Sequence, residues 1–194
     1  MKKYYEHKQH RLKNYNYSNN GSYFITICVK QRECLLGNIV AVDAHGDRIA
    51  HGDRLFPDNN RTPEEMNDII PQIILSEYGK TAEKYILSGN TAYNNLTVDT
   101  YVIMPNHIHI ILSVCNDDFV CKEKPCHDLV PTYVSTLKTL ITKDIGFSIF
   151  QDNFHDRIIR NEDEYEKIWK YIDLNPTTWA EDKFYTADAL ILPD

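Results

Sequence analysis

The sequence predicts an α+β domain built on one sheet, with paired antiparallel strands and helices between them. Three observations carry that expectation. The segments Gly21–Cys34 and Tyr93–Val114 are rich in β-branched and aromatic residues, in the first with a period of two. Two later segments, Leu129–Gly146 and Arg160–Pro176, read as helices. The chain has 194 residues, 42% hydrophobic and 25% charged, which suits one globular domain spanning 1–194 with an ordinary core.

Each element has a local reason. In GSYFITICVKQREC, Tyr23, Ile25, Ile27 and Val29 share one face while Phe24, Thr26 and Cys28 share the other, the pattern of a central strand. From Val40 to Pro63 the pattern lapses. HGDR occurs twice there, at His45–Arg48 and His51–Arg54, among Gly, Asp, Asn and Pro, so a surface insertion at about 40–63 is expected. PEEMNDIIPQIILSEYGKTAEKYIL then reads as a helix from Pro63 to Leu87. Met66, Ile69, Ile70, Ile73 and Ile74 form its apolar stripe, and Pro71 is a possible kink.

YNNLTVDTYVIMPNHIHIILSV is expected to form two strands joined by a turn at Met104-Pro105-Asn106. In LVPTYVSTLKTLITKDIG, Tyr133, Leu137, Leu140 and Ile141 should face inward. Lys138 and Lys143 should lie at the surface, and Gly146 should end the helix. The last helix has Asn161 as its expected N-cap and carboxylates in the first turn, and it stops before Pro176.

Charge and cysteine content narrow the function. The net charge of -7 is the wrong sign for a protein that coats nucleic acid nonspecifically. Local patches can still be basic, since Lys2, Lys3, Lys8, Arg11 and Lys13 crowd the N-terminus. No run of eighteen apolar residues suggests a membrane span, and no apolar stretch behind the basic start suggests a signal peptide, so a cytoplasmic location is expected. Five cysteines, an odd number, fit reduced thiols. Cys115, Cys121, Cys126 and His127 have spacings wider than a zinc knuckle, and free thiols in a loop are the expectation.

Chemistry concentrates in YVIMPNHIHIIL. On a strand His107 and His109 project from one face, and two imidazoles so placed can converge on a divalent ion. A histidine-triad hydrolase would need a third His where Ile111 stands. A two-motif phosphoesterase would need a second H-x-[ST] element, which the chain lacks. HUH nucleases, with a hydrophobic residue between the histidines and a distant tyrosine nucleophile, remain. Thirteen tyrosines are available, and Tyr171 with Asn175 at i and i+4 share a helix face. The helix taken alone favours a Tyr171 that is an ordinary amphipathic tyrosine, packed by its ring with a wet hydroxyl.

The ordered blocks RLKNYNYSNNGSYFITICVKQRECLLG, YVIMPNHIHIIL, VSTLKTLITKDIG and FHDRIIRNEDEYEKIWKYIDLNP resemble the single-tyrosine HUH transposases, including the REP-associated tyrosine transposases. The resemblance runs from about Arg11 to Trp179. It implies an RRM-like HUH nuclease fold with a central antiparallel sheet. It also implies a DNA nicking and joining enzyme that cuts single-stranded DNA beside hairpins made by short palindromes, with Mg or Mn as cofactor. Carried onto this chain, His107 and His109 are metal ligands, Asn175 is the third ligand, and Tyr171 is the nucleophile that forms a 5′-phosphotyrosine. Arg11, Lys13 and Lys138 are candidate contacts to DNA phosphates. The resemblance leaves open a monomer or a homodimer with the tyrosine helix supplied in trans. The rival expectation is a domesticated, noncatalytic DNA-binding protein of the same fold.

Overall fold

A computed structural model describes residues 15–42, 70–115 and 128–186. Six strands and three α-helices follow in order: β1 (Gly21–Cys28), β2 (Gly37–Val42), β3 (Ile70–Leu75), α1 (Glu77–Ala92), β4 (Leu96–Met104), β5 (His107–Val114), α2 (Leu129–Ile145), β6 (His155–Ile159) and α3 (Glu162–Leu174). Short 3-10 turns occupy Lys30–Arg32 and Trp179–Glu181. Four strands form an antiparallel sheet in the order β4-β5-β1-β6, and β2 pairs with β3 in a separate ribbon. The α+β expectation holds, with β1 an inner strand.

Strand alternation separates the two faces of the sheet. Tyr23, Ile25 and Ile27 of β1 and Ile108, Ile110 and Leu112 of β5 are completely buried. They form one core with Ala82 and Ile86 of α1 and Tyr133, Val134, Leu137 and Ile141 of α2. The opposite face carries Phe24, Thr26, His107, His109 and Ile111, because the register sets Thr26 opposite His109 and Cys28 opposite His107. There α3 covers Ile111 with Ile168 and Ile172. Gly146 ends α2 in the left-handed region at φ 93, where glycine carries no Cβ penalty.

Within the described residues the expected helix Pro63–Leu87 is corrected. Residues 70–75 form β3, and α1 begins only after Ser76, whose Oγ accepts from the Gly79 N–H at 3.1 Å. Ile70, Ile73 and Ile74 fit either period, but Pro71 has no N–H to give a helix, whereas an edge strand tolerates it. The stripe that α1 buries is Gly79, Ala82, Ile86 and Gly89. Met66 and Ile69 lie outside the described residues. Val40 and Val42, expected at the start of a surface insertion, pair with Gln72 and Ile70 in the ribbon. Residues 43–63 lie outside the described residues, as do Cys121, Cys126 and His127. Cys115 is an exposed thiol.

Candidate metal and nucleophile site

The site forms where the β4–β5 turn, α3 and the segment after it meet on the second face of the sheet. His107 and His109 are fully buried, and their Nε2 atoms lie 3.0 Å apart. Each Nδ1 has its own partner. Asn106 donates through Nδ2 to the carbonyls of Phe184 (2.8 Å) and Arg32 (3.3 Å). That orientation turns its Oδ1 toward His107 Nδ1 at 2.9 Å, so Nδ1 carries the proton and Nε2 presents its lone pair. Thr26 Oγ1 lies 2.9 Å from His109 Nδ1. A hydroxyl can donate or accept, so His109 has two satisfied tautomers. In one its Nε2–H bonds to His107. In the other Thr26 accepts from Nδ1, and both Nε2 lone pairs point at a common centre, the arrangement that a cation requires.

Helix α3 brings the remaining groups. The Asn161 side chain caps it by accepting from the Glu164 N–H at 2.9 Å, and three carboxylates occupy its first turn. The helix is anchored at Tyr165, whose hydroxyl donates to Asp99 Oδ2 of β4 at 3.0 Å. One face then presents Lys167, Tyr171 and Asn175 at i, i+4 and i+8. The Tyr171 hydroxyl lies 3.3 Å from His109 Nε2 and donates to Asp182 Oδ2 at 2.9 Å. Asn175 is fully buried; its Nδ2 lies 3.4 Å from Asp182 Oδ2, and its Oδ1 is a buried acceptor with no partner.

No motif in the sequence marks Asp182, yet the fold sets it beside the histidines. Among the described residues, His107, His109 and Asp182 form the group that could hold a metal ion, each with one donor atom within 4.8 Å of the others. The donor set fits a divalent ion on two further grounds. Two imidazoles, a carboxylate and an amide oxygen are all acceptable ligands. The orphaned Asn175 Oδ1 is also the kind of buried acceptor that costs stability unless something donates to it or binds it.

Aromatic rings enclose the histidines. Trp179, completely buried, stacks on His107 with centroids 5.9 Å apart and planes at 29°, and Phe184 lies 4.6 Å from His107. Phe24 covers His109 at 5.0 Å. Burial pushes the His107 pKa down to about 3, helped by the positive charges of Lys183 and Arg32. Burial, and then its neighbour His107, holds His109 well below the ordinary histidine value, with the Asp182 carboxylate acting in the opposite direction. Both rings are therefore neutral and free to ligate at physiological pH. Burial and the Asp182 carboxylate push Tyr171 up to about 12, against the lowering effect of the Asn175 amide.

The structure brings together His107, His109, Tyr171 and Asn175. It places Lys138 apart from them on α2, where Nζ donates to the carbonyls of Gln151 and Asp152. Arg11 and Lys13 lie outside the described residues. No helix among the described residues is long and apolar enough to cross a membrane.

An α+β sheet thus carries a buried histidine pair and a tyrosine helix on one face. No family model matches the sequence. An uncharacterized protein of Haemophilus influenzae is 29% identical over 192 residues, covering 90% of this chain and 91% of that protein. The fold is similar to that of a REP-associated tyrosine transposase solved bound to a REP hairpin. The TM-score is 0.51 and the identity 16%, over 89% of this chain and 76% of the other.

Proposed function

We propose that the protein is a transposase-like, metal-dependent endonuclease and strand transferase of single-stranded DNA that cuts beside hairpins. The observation that carries this reading is the position of the Tyr171 hydroxyl, 3.3 Å from the Nε2 of a buried histidine whose neighbour shares its donor centre. A purely structural histidine pair has no need of a half-exposed tyrosine hydroxyl and a carboxylate beside it. The similarity of the fold to a tyrosine transposase supports the same reading.

His107 and His109, with Asp182 or Asn175, would hold the ion, Mg or Mn, which when bound would polarise the scissile phosphate. Asn106 and Thr26 fix the two rings from behind. Asp182 holds the Tyr171 hydroxyl by its proton, so the oxygen lone pairs face away from the carboxylate. On attack the Tyr171 oxygen bonds to phosphorus and the bond from phosphorus to the 3′-oxygen breaks. Tyr171 loses its proton and the departing 3′-oxygen gains one. The 5′-phosphotyrosine retains the phosphodiester energy, so joining to a second 3′-hydroxyl needs no nucleotide triphosphate.

Incubating the protein with a library of hairpin-bearing single-stranded DNA and Mn should yield a covalent protein–DNA adduct. Chelation should abolish it, and so should Tyr171→Phe. Firm DNA binding without an adduct across the library would overturn the enzymatic reading, and an adduct from Tyr171→Phe would overturn the choice of nucleophile.

A further inference from the structure

A cleft of about 450 Å³ opens beside Tyr171, between α3 and the edge strand β6. Its walls include Phe24, His155, Arg157, Lys167, Tyr171 and Lys183. The sheet register explains the grouping. Arg157 lies opposite Phe24 and His155 opposite Thr26, so β6 extends the face that carries His109 by one strand. Lys167 stands one turn before Tyr171 on the same helix face, and Lys183 follows Asp182 directly. In a chain of net charge -7, three cations thus line one cleft whose own lining carries one carboxylate, Asp156, with Glu164 beside Arg157 and Asp182 beside Tyr171. Arg157 is paired with Glu164 yet remains largely exposed, with a side-chain accessibility of 62%. The half-buried ring of Phe24 forms the apolar floor between these cations and His109.

We infer that this cleft holds the nucleotide next to the scissile phosphate, unstacked from its neighbours. Its phosphate lies between Lys167 and Arg157, and its base lies against Phe24. The inference rests on the proposed reading of Tyr171 as nucleophile. Physical chemistry favours this ligand over a protein or a small acid. A phosphodiester reaching Tyr171 must bring a negative charge on each side, and the cations lie on the β6 side. A base offers a flat π-face that suits an aromatic floor whatever its identity. The cleft volume is of the size that small-ligand sites have, roughly 300–1,000 Å³.

The test uses the stem–loop oligonucleotide from which the native protein forms its adduct, bound to the uncleaving Tyr171→Phe protein. Each lost phosphate contact on a single strand should flatten the plot of log affinity against log salt by about 0.7. Lys167→Ala and Arg157→Ala should each show that change, while Lys80→Ala on α1 should not. 2-Aminopurine placed in turn on either side of the cleaved bond should change its emission several-fold at one position alone. Phe24→Leu should reverse that change. If the native protein forms its adduct but the salt slopes stay unchanged, or neither label responds, the cleft assignment is wrong and the nuclease reading stands. If no oligonucleotide yields an adduct, both fail.

Discussion

Single side chains decide what the site can do. Tyr171 is held protonated at neutral pH, its pKa pushed up to about 12. Far below that value its ionised fraction grows about tenfold per pH unit. The initial rate of adduct formation should therefore climb log-linearly between about pH 7 and 9 with no plateau. A plateau near neutrality would mean that another group sets the rate. Trp179 supports His107 with a fully buried ring. Trp179→Ala should cost about 3–5 kcal/mol, measured by denaturant unfolding. The histidines could be read from sequence because strand alternation makes H-x-H a pair whatever surrounds it. The shared face of Tyr171 and Asn175 follows from one helical turn, whereas the roles expected of them came only from the resemblance of the ordered blocks. Asp182 could not be read, since it follows the 3-10 turn Trp179–Glu181 where no period assigns a direction, and it is one acidic residue of 28. Its only signal is the aromatic company of Trp179 and Phe184, which marks a segment that returns to the core.

At the level of elements, the close seating of α1 sets the fold around β2 and β3. A Cβ on Gly79 would come within 2.0 Å of the Leu36 carbonyl oxygen, and Ser76 bonds the same strap through Leu35 and Leu36. Gly79→Ala should therefore destabilise by about 1–3 kcal/mol, although alanine is the better helix former, and thermal unfolding would show the loss. Local pattern specified β1, β5, α2 and α3 because β-branched runs or a helical apolar stripe mark each of them with no competing period. It failed for β3, where isoleucines spaced by three and four also suit a strand within a two-stranded ribbon. Pro71 was the discriminating residue, and its meaning depended on knowing that β2 offered an edge. Only tertiary pairing could supply that.

For the molecule as a whole, the buried histidines couple stability to pH. Their pKa values lie below the ordinary 6.5, so between 6.5 and about 3 the unfolded chain binds protons that the folded one refuses. Stability is full above pH 6.5 and falls as the pH drops through that window. Melting in the presence of chelator should show a lower midpoint at about pH 5 than at 7.5, and the double variant His107→Gln, His109→Gln should lose most of the difference. Connectivity adds a second expectation. Only Arg160 and Asn161 join β6, which is hydrogen-bonded to β1, to the start of α3. So short a link favours a tyrosine supplied to the site by its own copy. Mixing Tyr171→Phe with His109→Ala protein should accordingly restore no adduct, and restoration would show an exchanged helix.

The turn between β4 and β5 has one more consequence. A single amide, Asn106, grips the backbone on either side of the site and dictates which nitrogen of His107 bears hydrogen. The seating of Phe184 and the tautomer of that ring are thus one event rather than two. Replacing Asn106 would therefore disturb the seating of Phe184 and the tautomer of His107 together.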